Sequence, residues 1–400
     1  MSEKRPREGA IGVWLTDQQR RNWLKLIRSE NVGPATFRSL VNHFGSAAMA
    51  LDALPELARR GGARSRIRIA EDAEIDRELE IAAGMGARFV ALGEPDYPKY
   101  LRAVEGPPPI LAVQGGTNPL LGVGDRAPGL FDPGLGERAT VAIVGSRNAS
   151  LSGRKFAGML ARTAGEAGFI VISGLARGID AAAHQAALTT GTIGVLAGGL
   201  DKLYPPEHAG LAVDMIAAGG AILTEMPFGW EPRARDFPRR NRLISGMSLG
   251  VVVVEAALRS GSLHTARFAA EQGREVFAVP GSPLDPRAEG CNDLIRTGAT
   301  LIYKPEHLLE ALSPLVGWEP PDTTAEEPDH SPTDRPMPDT TETERARTII
   351  LTALSATPTA IDDIIRETGL RPALVQLVLL ELDLAGRLER HGQGKVGIVF

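Results

Sequence analysis

Apolar residues recur at helical spacing near the start of the chain and predict two helices within residues 17–55. Asn31–Ala35 lies between them, with a glycine that permits a tight turn and Pro34, which suits the first position of a helix. Such a helix–hairpin–helix can hold a phosphate on its backbone amides or can simply be a packing module, and simple packing is slightly favoured. We assign 1–92 to an N-terminal helical domain, with further helices over 56–92, and 93–139 to a Gly/Pro-rich connection.

The pattern changes at residue 140, where short β-branched runs alternate with helical stretches. The predicted strands are Thr140–Val144, Phe169–Ser173, Thr192–Leu196, Ala221–Thr224, Val251–Val254, Glu275–Val279 and Thr300–Ile302. Apolar strands alternating with helices indicate a mostly parallel sheet covered on both faces. We therefore predict an α/β, Rossmann-like, doubly wound core over 140–318.

The last eighty residues carry two further patterns. Residues 319–344 are Pro-rich, acidic and nearly free of large apolar side chains, which predicts a disordered linker. Residues 345–400 read as three helices, Arg345–Leu354, Ala360–Thr368 and Arg371–Ala385, followed by a hairpin around Gly392-Gln393-Gly394, which is the pattern of a winged helix. The third helix is apolar and acidic, so protein contact or packing is favoured over base reading.

Composition restricts the class of protein. The chain has 400 residues, 43% of them hydrophobic, and a net charge of -5, so a nucleic-acid site has to be a local basic patch in an acidic background. The one cysteine, Cys291, excludes internal disulfides and a multi-cysteine zinc site and reads as a core residue. The charged start, without an apolar signal core, and the short apolar runs predict a cytoplasmic protein with no membrane segment.

Candidate chemistry lies in the loops at the carboxyl ends of the strands, where doubly wound sheets bind ligands. In Gly145-Ser146-Arg147 a glycine turn leads from a strand into a helix, an arrangement that holds anions on backbone amides. Arg147 stands where a dinucleotide fingerprint has its second glycine, which disfavours an NAD site and favours a phosphodiester. We therefore predict a phosphate grip at this loop and no cofactor.

Other loops of the same edge repeat this chemistry, and an arginine cluster follows in 232–242. Several anion sites along one edge suit a chain of phosphates better than a single one. Tyr204 or His208 could offer a stacking surface or only shape its loop, and His184 reads as a packed histidine rather than a base. The remaining predicted DNA-binding residues are Gly174, Arg177, Lys202, Arg239, Arg240, Asn241, Arg242, Ser260, Gly261, Ser262 and Thr265.

Catalytic signatures are missing from the sequence. It has no P-loop, no HExxH and no metal-spaced His/Cys cluster, so no catalytic and no metal-binding residue is predicted. Gly246–Gly250 matches GxSxG, but a nucleophile elbow needs a strand before the serine and a helix after it, and here that order is reversed.

These blocks, read in order, resemble the DprA (Smf) family of DNA-processing proteins. The resemblance rests on VAIVGSR, SGLARGIDAAAH, GGLDKLYP, FPRRNRLISGMS, VVVVEA, SGSLHTA, GREVFAVPG and GCNDLIRTGA, spread over 140–303. It implies a non-enzymatic homodimer that binds single-stranded DNA, protects it from nucleases and loads RecA onto it during natural transformation. It also implies that Gly145, Ser146 and Arg147 grip a phosphate and that Arg177, Arg239, Arg240 and Arg242 line the path of the strand.

The sequence departs from the family pattern in one loop. Family members commonly carry a lysine directly after the Tyr-Pro pair, where this chain has Pro206, and Lys202 is a candidate substitute. Two other functions compete with strand binding. One is a nucleotide or nucleoside-phosphate hydrolase using Glu225 or Glu255, and the other is a duplex-binding regulator acting through 345–400.

Overall fold

The computed structural model describes residues 14–116, 138–318, 340–392 and 394–399. Two compact units share them. Among the described residues, the core unit consists of Trp14, Glu78–Val104, 110–116 and 138–318, and the terminal unit of Leu15–Arg77, Glu105–Pro109, 340–392 and 394–399. In the described ranges, no helix combines the length and the apolarity needed to cross a membrane.

The core unit is organised around one nine-stranded sheet. Its strands are β1 (Ala87–Ala91), β2 (Ile110–Gly115), β3 (Thr140–Val144), β4 (Ile170–Ser173), β5 (Thr192–Val195), β6 (Ala221–Thr224), β7 (Gly250–Val253), β8 (Glu275–Ala278) and β9 (Thr300–Leu301). They lie in the order β1-β2-β6-β5-β4-β3-β7-β8-β9. Neighbours from β6 to β9 are parallel, whereas β2 runs antiparallel to both β1 and β6. The seven predicted strands and the Rossmann-like class are confirmed.

Helices cover both faces of this sheet. They are α5 (Lys99–Arg102), α6 (Leu151–Glu166), α7 (Ile179–Ala186), α8 (Ala209–Ala217), α9 (Asp236–Gly246), α10 (Ser262–Glu271), α11 (Glu289–Arg296) and α12 (Pro305–Leu312). Val251 and Val253 belong to the apolar cluster on one face, and Val252 and Val254 to the cluster on the other. Since successive strand residues point to opposite faces, this explains why the strand is apolar throughout.

The prediction was wrong about the segment before the core. Residues 87–91, expected to be helical, form β1, and the expected connection contains α5 and β2. The short run Ile110–Val113 between prolines and glycines was mistaken for a loop, because four apolar residues have no clear periodicity. Residues 117–137 of that connection lie outside the described ranges.

The terminal unit combines helices from both ends of the chain. They are α1 (Asp17–Ile27), α2 (Pro34–Phe44), α3 (Ala47–Arg60), the first residues of α4 (Asp72–Gly84), α13 (Thr340–Ala353), α14 (Ile361–Thr368) and α15 (Pro372–Leu384). Strands β10 (Thr359–Ala360), β11 (Leu388–His391) and β12 (Lys395–Ile398) form a three-stranded sheet. The predicted helical hairpin and winged helix are therefore confirmed.

One boundary of the C-terminal prediction was wrong. Helix α13 begins at Thr340, before the predicted start at Arg345 and inside the predicted linker. Glu342 in the first turn suits the positive end of the helix dipole and pairs with Arg371 at 2.5 Å, which supports the longer helix. The rest of that linker, residues 319–339, and Gln393 in the predicted turn lie outside the described ranges.

Candidate nucleic-acid interface

The carboxyl ends of the parallel strands surround an open pocket of about 630 Å³. Loops that follow β3, β4 and β7 form its walls together with the start of α9. The lining residues are Val144–Asn148, Ala176, Asp180, Ala234, Phe237, Pro238, Arg240, Asn241, Ile244, Ala257, Arg259–Ser262, His264 and Thr265. Nine of the fourteen predicted DNA-binding residues are among them: Gly145, Ser146, Arg147, Arg240, Asn241, Ser260, Gly261, Ser262 and Thr265.

The loop after β3 is fixed by neighbouring loops before any ligand arrives. Ser146 donates its backbone N–H to the carbonyl of Glu255 at 2.7 Å and accepts from the N–H of Ile179 at 3.3 Å. A Cβ on Gly145 would lie 2.6 Å from Cγ1 of Ile179, so the glycine is required by this packing. The loop thus holds the exposed Arg147 side chain on a rigid base at the rim of the pocket.

The carboxylate of Glu255 completes that support. It accepts from the backbone N–H of Ser150 at 2.9 Å and from its hydroxyl at 2.5 Å, while the same hydroxyl caps α6 by accepting from Gly153 at 2.9 Å. A Cβ on Gly153 would fall 2.5 Å from the Glu255 carboxyl carbon. Glu255 therefore joins the end of β7 to the start of α6.

The loop after β4 is hydrogen-bonded to a buried carboxyl group, that of Asp180. Asp180 is buried, and its carboxylate accepts from the backbone N–H groups of Gly174 at 3.1 Å and Ala176 at 3.4 Å. Burial raises the pKa of Asp180, and the nearby positive charge of Arg240 opposes that shift. The amide of Gly174, a residue predicted to bind DNA, is thus already hydrogen-bonded within the protein.

Arg240 and Asn241 on α9 hold two loops of the pocket in place through hydrogen bonds. Arg240 is buried and donates from Nη1 to the carbonyls of Gly174, at 2.6 Å, and Val195. Asn241 donates from Nδ2 to the carbonyl of Gly261 at 3.1 Å. Burial lowers the pKa of Arg240 to about 10, so this guanidinium remains charged at neutral pH. Two adjacent residues of one helix therefore fix the loops after β4 and β7.

Arg239 and Arg242, two further arginines of the five in this cluster, turn away from the pocket. Arg239 lies 2.9 Å and Arg242 2.5 Å from the carboxylate of Glu225, which is buried at the end of β6. Neither lines the pocket. Of the five arginines in the basic run, Arg239, Arg240 and Arg242 are therefore engaged within the core, whereas Arg233 and Arg235 are exposed and line neither this pocket nor the small one beside it.

Two other predicted cations also have acidic partners. Arg177 pairs with Glu207 and, with Gly174, lines a small neighbouring pocket beside Tyr204. Lys202 lies 3.0 Å from Glu231, which raises the pKa of the lysine, and lines neither pocket.

Arg147 and Arg259 are the side chains of the pocket with their charge available. Both are exposed, and within the described ranges neither forms an ion pair. Arg147 lies over the ring of Phe237, with its guanidinium carbon 5.0 Å from the ring centroid. Sequence reasoning missed Arg259, although its position directly before the predicted anion loop Ser260–Ser262 was an available signal.

An aromatic pair lies beside these cations. The rings of Tyr204 and Phe237 are 5.8 Å apart and nearly perpendicular, and Tyr204 is 49% exposed. Phe237 lines both the large and the small pocket. Cations and exposed ring faces therefore occur together, which is the combination that binds unpaired nucleotides.

His184 and Cys291 belong to the interior. His184 is buried, faces the hydroxyl of Thr192 at 2.7 Å through Nδ1 and accepts from the N–H of Leu175 at 3.4 Å. Cys291 is buried, and burial raises the pKa of its thiol to about 12. In the described part of the chain, His, Cys, Asp and Glu side chains form no group that could hold a metal ion.

Comparison with known proteins places three known domains on this chain. The sequence profile of DNA recombination-mediator protein A matches residues 88–313. The DprA-like N-terminal HHH domain matches residues 17–81, and the DprA winged helix domain matches 332–394.

Individual relatives agree with these profiles. Protein Smf of Synechocystis is 32% identical over 406 residues, covering 94% of this chain and 98% of the relative. Protein Smf of Escherichia coli is 43% identical over 250 residues, which span 62% of this chain and 64% of that protein. The X-ray structure of DNA processing protein A from Streptococcus pneumoniae matches with a TM-score of 0.58 at 29% identity, covering 74% of this chain and 98% of that one.

Proposed function

Because this chain belongs to the DNA recombination-mediator protein A family, we propose that it binds the backbone of single-stranded DNA in the pocket at the carboxyl edge of its sheet. The observation that carries the proposal is the pair of exposed arginines without ionic partners in the described ranges, Arg147 and Arg259, in one pocket. Guanidinium groups bind phosphates through paired hydrogen bonds, and the loops beneath them are already fixed.

The aromatic residues favour a single strand over a duplex. The exposed Tyr204 offers a ring face to which only unpaired bases have access, whereas the ring of Phe237 already carries Arg147. The loop after β7 adds the Ser260 and Ser262 hydroxyls, 2.8 Å apart, at the start of α10, where the helix dipole favours an anion. Contacts of this kind depend on shape and charge and predict little sequence preference.

The two carboxylates that the hydrolase hypothesis requires already have partners within the protein. Glu225 is paired with Arg239 and Arg242, and Glu255 accepts both hydrogen bonds from Ser150. A general base or nucleophile needs a carboxylate that can reach its substrate. The proposed role is therefore binding without turnover.

In the wider proposal, which rests on the family resemblance, the protein acts in the cytoplasm as a homodimer. It protects single-stranded DNA taken up during natural transformation and loads RecA onto it. The family description as a recombination mediator supports this role.

The test is binding of a labelled single-stranded oligonucleotide across a salt series. For single strands, each phosphate that the protein neutralises adds about 0.7 to the steepness of log affinity against log salt. We expect Arg147→Ala and Arg259→Ala each to make the slope shallower by about that amount. Arg162→Ala, an exposed arginine of α6 outside the pocket, is the matched control and should leave the slope unchanged. Unchanged slopes in both pocket variants would refute the proposal.

A further inference from the structure

The third helix of the winged helix, α15, is covered by helices from the other end of the chain. It packs against α2 and α3, and its buried residues are Leu374, Val375, Leu377–Leu382 and Leu384. A Cβ on Gly61, at the end of α3, would fall 1.9 Å from the carbonyl oxygen of Glu381. The backbones of the two segments are therefore in direct contact.

Polar contacts fix this arrangement. Thr36 donates its hydroxyl to the carboxylate of Asp383 at 2.7 Å, and Asn31 donates from Nδ2 to the carbonyl of Leu384 at 3.0 Å. A winged helix that reads duplex DNA inserts its third helix into the major groove. Here that surface is already occupied by the chain itself, so α15 acts as a packing helix.

A cavity of about 560 Å³ lies where α15 ends. It is lined by Glu30, Asn31, Gly62–Ser65, Ile67, Leu384–Arg387 and Val399. The lining is made mainly of two loops, the one after α3 and the one after α15, both within the terminal unit. No residue of this cavity belongs to the predicted DNA-binding set.

Arginines dominate the charge of this cavity. Arg64 is exposed and, in the described parts of the chain, forms no ion pair. Arg387 donates from Nη1 to the carbonyl of Gly61 at 3.3 Å, and its guanidinium lies where a Cβ on Gly62 would be 2.9 Å away. The one carboxylate of the lining, Glu30, accepts from the backbone N–H of Arg68 at 2.9 Å.

We propose that this cavity is a second phosphate-binding site, which takes the backbone of a nucleic acid through Arg64 and Arg387. Guanidinium groups from two loops, with Ser65 also in a mostly polar lining, match a phosphodiester better than an apolar or cationic ligand. Because α15 is covered, this site gives the terminal unit a route to nucleic acid that does not use the major groove. The inference goes beyond the strand site of the core.

The experiment uses the full-length protein with single-stranded and duplex oligonucleotides that carry photoreactive azidophenacyl groups on backbone phosphorothioates, followed by peptide mapping of the crosslinks. Crosslinks in 61–67 or 384–387 are expected with either oligonucleotide, and their absence with both would overturn the inference. Salt series then compare Arg64→Ala with Arg77→Ala, an exposed arginine of the same unit outside the cavity. Both are made in an Arg147→Ala/Arg259→Ala background, so that the core site contributes little.

Arg64→Ala should make the slope for single strands shallower by about 0.7, and Arg77→Ala should not change it. Equal slopes for the two variants would also overturn the inference. The two proposals fail separately. If the background variant binds as the wild type does and Arg64→Ala still weakens binding, the core site is wrong and the cavity site stands. If the background variant loses all binding and all crosslinks, the cavity site is wrong and the core site stands.

Discussion

Because of His184, the free energy of unfolding of the core should fall in mild acid. Its ring is fully buried, and burial, helped by the positive charge of Arg240, lowers its pKa from 6.5 to about 3. The folded state therefore keeps the imidazole neutral, whereas the unfolded chain takes up a proton below pH 6.5. The stabilisation is fully present above pH 6.5 and is lost progressively as the pH falls towards 3. Between pH 8 and pH 4 this residue alone should cost about 3 kcal/mol.

The matching variant is His184→Gln, which cannot titrate. It removes the hydrogen bonds to Thr192 and Leu175 and should be less stable than the wild type at pH 8. The free energy of unfolding is measured by urea denaturation at each pH from 8 to 4. The difference between the two proteins should shrink by about 3 kcal/mol across that range. A difference that stays constant with pH would show that His184 is not held neutral by burial, and the reasoning would be wrong.

Two further predictions concern substitutions that change the stability of the core, and the second also measures strand binding. Gly174→Ala places a Cβ 2.4 Å from Nη1 of Arg240 and should lower the free energy of unfolding, measured in urea, by about 3 kcal/mol, because a buried guanidinium is displaced from its carbonyl partners. The control is Gly158→Ala in the middle of α6, where the nearest neighbour would be 3.6 Å away and the free energy of unfolding should rise by about 0.5–1 kcal/mol. Equal effects of the two substitutions would contradict this prediction. Arg242→Ala should destabilise the core by about 2 kcal/mol, since the buried Glu225 keeps only one of its two arginines. It should leave unchanged the slope of log affinity against log salt for strand binding. A shallower slope would show that Arg242 contacts the DNA.

The sequence located the site better than it assigned the roles of its residues. The place of Gly145–Arg147 and Ser260–Ser262 at the pocket could be predicted because a glycine turn between a strand and a helix is a local pattern, although the amide of Ser146 proves to be bonded to Glu255. The roles of Arg239, Arg240 and Arg242 could not be predicted, since they depend on Glu225, Gly174 and Val195, which are distant in sequence. Arg259 was missed although it directly precedes the predicted anion loop, because a single arginine stands out less in a sequence than the cluster at 232–242.

The sequence by itself determined the seven strands from residue 140 onwards, the mostly parallel class of their sheet and the edge at which the candidate pocket lies, because these follow from local periodicity and from chain direction. Only the tertiary structure decided which charges remain available and which face of the winged helix is covered. An ion pair or a covered helix depends on which distant groups meet in space, and composition does not encode that. The sequence of the cluster at 232–242 does not reveal whether its arginines bind DNA or pair with the protein's own carboxylates. In the fold, Arg239 and Arg242 pair with Glu225, whereas Arg147 and Arg259 remain available to a phosphate.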